Sequence, residues 1–149
     1  MPVSTLSLKG RALRLLGGRE HSRAELERKL QPHEQEPGQL QRVLDELQAK
    51  GFISEQRVVE SVLHRRAGKL GAGRIRQELQ QKGIGDELVA QAVQQLRTIE
   101  LDRARQVWQR RFGAPPQDAA ERARQSRFLA ARGFGGDVIR RVLGGRDDE

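Results

Sequence analysis

The sequence predicts an all-α protein of three tandem three-helix repeats, set in an elongated, curved stack. Three observations carry that expectation. No stretch shows the strict apolar–polar alternation or the Val, Ile, Thr and aromatic enrichment of a strand. Three helix stops share one chemical design. Beneath them runs an internal period of about 49 residues.

The stops are Leu47-Gln48-Ala49-Lys50-Gly51-Phe52, Leu79-Gln80-Gln81-Lys82-Gly83-Ile84 and Leu129-Ala130-Ala131-Arg132-Gly133-Phe134. In each, Gly can adopt the left-handed conformation that ends a helix, and the next apolar residue is expected to fold back on the Leu five positions earlier. The basic residue before the Gly faces the negative end of the helix dipole. A shift of 49 places Leu26, Leu30, Leu40, Val43, Leu44 and Leu47 on Ile75, Leu79, Val89, Ala92, Val93 and Leu96, and Val58, Val59 and Leu63 on Val107, Trp108 and Phe112. A shift of 50 overlays Lys82-Gly83-Ile84-Gly85 on Arg132-Gly133-Phe134-Gly135.

The first unit, residues 1–53, holds helices near 6–17, 22–31 and 38–50. Ser22-Arg23-Ala24-Glu25 fits a capping box at the second of these, and 31–37 reads as a polar loop. The second unit, 54–98, has helices near 54–67, 71–82 and 85–97, with Ser54 as N-cap ahead of the stripe Val58, Val59, Val62 and Leu63. The third, 99–149, has helices near 99–112, 118–132 and 135–143. Gly113-Ala114-Pro115-Pro116 stops its first helix, and Gly144 to Glu149 reads as a frayed acidic tail. One such unit buries little apolar surface, so neighbours must lean on each other.

Aromatics make up only 3% of the 149 residues, so the core must come from Leu, Val, Ile and Ala, with Phe52, Trp108, Phe112 and Phe134 added. Phe128 aligns with Glu78 and reads as a surface contact, or as a core residue if the helix is slightly rotated. The formal charge is +8, which favours a polyanionic partner, either nucleic acid or an acidic protein surface. There is no cysteine, which excludes disulfides and thiolate metal ligands. No apolar run approaches the ~20 residues needed to span a bilayer, and no signal-peptide core is present, so a cytoplasmic location is expected.

No catalytic constellation emerges. His21, His33 and His64 lack ligand spacing and read as solvent-facing or capping-loop residues. Leu70-Gly71-Ala72-Gly73-Arg74 is Gly-rich ahead of a helix and could in principle hold a phosphate, but no strand precedes it and it reads as a flexible connection. No nucleophile stands with a base. The expectation is a protein that is not an enzyme, with no cofactor and no metal.

The basic residues say more. Arg65, Arg66, Lys69, Arg74 and Arg76 form an acid-free run; Arg103, Arg105, Arg110 and Arg111 form a second; Arg122, Arg124, Arg127 and Arg132 form a third. Repetition along the units would build a basic strip. A competing explanation is that Arg74, Glu78 and Lys82, one turn apart, pair with one another, and that Arg66 and Arg111 lay their stems over the core.

Several segments resemble one family in order and spacing. Arg19-Glu20-His21-Ser22-Arg23-Ala24-Glu25-Leu26, followed by Lys29-Leu30, is similar to the opening of RecX proteins. Gly51-Phe52-Ile53-Ser54-Glu55-Gln56-Arg57 resembles the segment between that family's first and second units. Arg74-Ile75, Glu78-Leu79 and Lys82-Gly83-Ile84 after Gly71 resemble its central signature, and Arg127-Phe128-Leu129 with Arg132-Gly133-Phe134 its C-terminal one. Val58-Val59 departs from the pattern, which often has an aromatic there.

The resemblance implies a negative regulator that binds the RecA–DNA nucleoprotein filament and inhibits its ATPase, strand-exchange and co-protease activities, limiting recombination and the damage (SOS) response. A monomer is expected, with weak, non-specific DNA contact as a possible accessory. On that reading Arg65, Arg66, Lys69, Arg74, Arg76, Lys82, Arg127 and Arg132 are the candidate filament and DNA contacts. The alternative is a helix-turn-helix-like DNA-binding regulator, against which stands the lack of a dimerisation segment or an obvious base-reading helix.

Overall fold

The computed structural model describes residues 6–144. Nine α-helices and no strand occur among them: α1 Leu8–Gly18, α2 Arg23–Leu30, α3 Gln39–Ala49, α4 Glu55–Arg66, α5 Ala72–Gln81, α6 Asp86–Arg97, α7 Glu100–Arg111, α8 Ala119–Ala131 and α9 Gly136–Gly144. The tail expected beyond Gly144 lies outside the described residues.

Local chemistry explains where the helices begin. The Ser22 hydroxyl accepts from the Glu25 amide at 3.1 Å, and the Glu25 carboxylate accepts from the Ser22 amide at 2.9 Å, completing the capping box of α2. Ser54 caps α4 and Asp118 caps α8 in the same way, through the amides of Arg57 and Glu121. Gln31–His33, inside the expected polar loop, forms a single 3-10 turn that extends α2.

All three stops close with the backbone bond that folds the chain back on the Leu five positions earlier. The amides of Phe52, Ile84 and Phe134 donate to the carbonyls of Leu47, Leu79 and Leu129 at 2.9, 3.1 and 3.2 Å, around glycines at positive φ. The side chains do not all follow. Ile84 and Phe134 are buried, but Phe52 stays 47% exposed and Ile53 enters the core in its place. The second and third stops join helices within one unit. The first joins α3 to the next unit, where only one of two adjacent residues can point inward.

The register of α7 also differs from the expected one. Its buried residues Arg103, Ala104 and Val107 correspond to Val58, Val59 and Val62 of α4, a shift of 45 and not 49. Trp108 and Phe112 are therefore only partly buried. The segment Phe112–Asp118, with its two prolines, then restores the shift of 50 by the ends of α5 and α8.

Each unit has its own apolar cluster, centred on Leu26 and Leu44, on Ile75 and Leu79, and on Leu129 and Ala104. These cores do not merge. The units are joined instead by their middle helices, whose ends meet. At the first junction the Ser22 hydroxyl donates to the Lys82 carbonyl at 2.5 Å, and Arg28 donates to the Gln81 carbonyl at 3.2 Å. At the second, the amides of Gly71 and Gly73 donate to the carbonyls of Arg132 and Gly133 at 2.6 and 3.2 Å, and Arg74 donates to the Ala131 carbonyl at 2.8 Å. The negative end of α5 thus abuts the positive end of α2, and that of α8 the positive end of α5.

The Gly-rich segment around Gly71 is consequently not a flexible connection. It is a buried junction: a Cβ on Gly71 would lie 2.5 Å from the Gly133 carbonyl group. Its helix N-terminus is not open to a phosphate either. The Glu100 carboxylate accepts from the Ala72 amide at 3.3 Å, and Arg103 holds that carboxylate at 2.7 Å while donating to the carbonyls of Ala67, at 2.8 Å, and Leu70.

Candidate partner interface

Basic residues gather at helix C-termini, where the dipole favours positive charge. His64, Arg65 and Arg66 lie in the last turn of α4, Arg110 and Arg111 in that of α7, and Arg132 caps α8. The fold brings these three ends around one cleft of about 730 Å³, lined by His64, Arg65, Gly68, Lys69, Val107, Arg110, Arg111, Phe128 and Arg132. Five of these residues are Arg or Lys, and no carboxylate lines the cleft.

The guanidinium groups of Arg110, Arg111 and Arg132 are held by rings and a carbonyl, contacts that leave their charge in place. Those of Arg111 and Arg132 lie 5.4 and 4.6 Å from the centroid of the Phe128 ring, which packs edge-to-face on Phe112 at 5.3 Å. A ring attracts a cation through its quadrupole and leaves the charge available to an anion. Arg110 is anchored on the Gly68 carbonyl at 2.6 Å. Glu78, outside the cleft, reaches Arg65 at 3.6 Å and Arg66 at 3.0 Å.

The expected contact residues divide. Arg65, Lys69 and Arg132 meet in this cleft. Arg66, Arg74 and Lys82 line a second depression of about 580 Å³ together with Glu25 and Glu78. Arg76 and Arg127 are exposed and belong to neither. Arg74, Glu78 and Lys82 do not pair with one another: Glu78 takes Arg65 and Arg66, while Lys82 crosses the first junction to Glu25 at 3.1 Å. The Lys82 side chain is only 14% exposed, which ties it to the junction. Arg103, from the second basic run, is buried at the other junction. Arg110 and Arg111 were not among the expected contacts; their place just before the Gly113-Ala114-Pro115-Pro116 stop was the legible signal.

Glu25 is the strongest electrostatic knot in the first junction. Burial alone would raise its pKa, but hydrogen bonds from Arg19, the Ser22 amide and Lys82 outweigh it and bring the value down to about 2. His21, beside it, is buried and not solvent-facing. Its Nδ1 lies 3.1 Å from the Arg19 carbonyl and its Nε2 3.1 Å from the Lys29 ammonium, and burial lowers its pKa. Among the described residues no three His, Asp or Glu side chains are grouped to hold a metal. No helix among them is long and apolar enough to cross a membrane.

Residues 9–47, 54–93 and 98–143 match, in that order, the first, second and third three-helix domains of RecX. The chain belongs to the RecX family. It is 59% identical over 144 residues to the regulatory protein RecX of Leptothrix cholodnii, covering 97% of this chain and 92% of that one. To the regulatory protein RecX of Ralstonia nicotianae it is 48% identical over 147 residues, covering 99% and 92%. The RecX crystal structure from Lactobacillus salivarius superposes with a TM-score of 0.75 over 92% of each chain, at 19% identity. The RecX fold therefore persists where most side chains have changed.

Proposed function

We propose that this RecX-family chain is a negative regulator of RecA, binding the RecA–DNA filament and restraining its ATPase, strand-exchange and co-protease activities. In the cell it would limit recombination and the damage response. It acts in the cytoplasm as a monomer, by binding and not by catalysis. The observation that carries the reading is the cleft where Arg65, Lys69, Arg110, Arg111 and Arg132 converge without a carboxylate. Cations clustered in a concave site with no carboxylate in its lining favour an anionic surface and steer its approach.

The architecture supports the same reading. A filament repeats its surface at regular intervals, and units strung end to end can reach more than one copy. Binding better to a less active filament state would then shift its population. The test is single-strand-dependent ATP hydrolysis by RecA with this protein titrated in. Inhibition well below one copy per RecA supports a block of filament growth. No effect at several-fold excess, with filaments and folding verified, overturns the proposal and brings forward a helix-turn-helix-like DNA regulator.

A further inference from the structure

We infer that the cleft between the second and third units takes a short acidic segment of a protein partner, with one apolar side chain entering the cleft and carboxylates on either side of it meeting Arg65, Lys69, Arg111 and Arg132. The inference deepens the proposed role by naming the chemistry of the contact, and rests on that role only for where the segment comes from.

The lining has two parts. Val107 and Phe128 supply an apolar floor, and Gly68 adds no side chain; a Cβ there would meet open space. Around this floor stand five cations and no acid. A volume of about 730 Å³ lies within the range of sites that enclose a small ligand, so an apolar side chain can enter it. Arginine forks pair with carboxylates through two parallel hydrogen bonds, which fixes orientation as well as charge.

A nucleic-acid strand fits less well. Its evenly spaced phosphates call for an open basic track. Carboxylates interrupt such a track, with Lys82 tied to Glu25, Arg65 and Arg66 to Glu78, and Arg103 to Glu100.

The experiment uses the full chain and three fluorescent probes in near-physiological salt. One is a short peptide with a single Leu flanked by Asp and Glu, the second the same peptide with Ala for Leu, and the third an oligo(dT) of equal charge. The Leu peptide should bind about tenfold more tightly than the Ala peptide, the effect of burying one apolar side chain. Its binding should fall at least about tenfold in the double variant R65E/K69E, which alters two exposed residues, and F128L should bind less tightly while keeping the fold. Equal binding of the two peptides, or displacement of the Leu peptide by equimolar oligo(dT), overturns the inference. RecA inhibition by the unmodified chain is measured in parallel. Inhibition without peptide preference sinks the cleft chemistry alone, and peptide preference without inhibition sinks the regulatory role alone.

Discussion

The Gly71 amide and the Arg132 carbonyl, 2.6 Å apart, join the start of one middle helix to the end of the next. One repeat earlier the Ser22 hydroxyl makes the equivalent bond to the Lys82 carbonyl. Both junctions use the carbonyl just before a left-handed glycine, where a helix has carbonyls left over. The same glycine that ends a helix thus exposes the group that docks it on its neighbour. At Gly71 the approach is so close that only a residue without a Cβ fits.

Gly71→Ala should therefore open the second junction. Its new methyl would sit 2.5 Å from the Gly133 carbonyl carbon and oxygen, which are backbone and cannot rotate away. A loss of roughly 1–3 kcal/mol is expected from such overpacking. Urea denaturation followed by circular dichroism measures it, and an unchanged midpoint would show that the junction is looser than described.

Arg103 and Glu100 form a buried pair whose side chains are 7% and 8% exposed. Arg103→Met leaves the Glu100 carboxylate buried with only the Ala72 amide near it, and should cost ~3 kcal/mol or more. Adding Glu100→Gln should recover a large part of that loss, because the stranded charge is gone. A double-mutant cycle decides the matter: purely additive losses would mean that the two side chains act independently.

Glu25 predicts an acid limb. Its pKa is about 2 in the folded protein against an ordinary 4.5, so the unfolded chain binds its proton first on acidification. The stabilisation is complete above the unfolded value and is lost as pH falls from about 4.5 towards 2, amounting to roughly 2–3 kcal/mol. Glu46, also near 2 but exposed, titrates in the same window, so the comparison must be with Glu25→Gln. The variant should be the less stable at pH 6, with the gap closing by pH 2. A constant gap across that range would refute the assignment.

Lys82 and Lys69 should part company in function. Lys82→Ala removes a junction contact to Glu25 and is expected to lower stability by about 1–3 kcal/mol with little effect on RecA inhibition by the protein that remains folded. Lys69→Glu, on the exposed rim of the cleft, should leave stability within about 0.5 kcal/mol and raise the concentration needed for inhibition several-fold. The opposite pattern would place the contact surface in the other depression.

Phe52, exposed beside the first stop, should tolerate Ser with a stability change within about 0.5 kcal/mol. A larger loss, read from the same denaturation curves, would mean that it packs as Ile84 and Phe134 do.

Helix positions and the threefold repeat were legible along the chain because caps, stops and apolar spacing act over a turn or two. Ser22 with Glu25, and the glycines 51, 83 and 133, need only their near neighbours to do their work. The charge at the helix ends was legible for the same reason. The tertiary structure alone decided which of those charges remain available. Arg65 and Lys69 open onto a cleft that Arg110, Arg111 and Arg132 complete from 40 or more residues away, while Lys82 is held by Glu25 across the first junction and Arg103, with its own helix's Glu100, is buried at the second. Whether a basic side chain meets an acid or a partner depends on which helix end faces it, and that is settled only when the units stack.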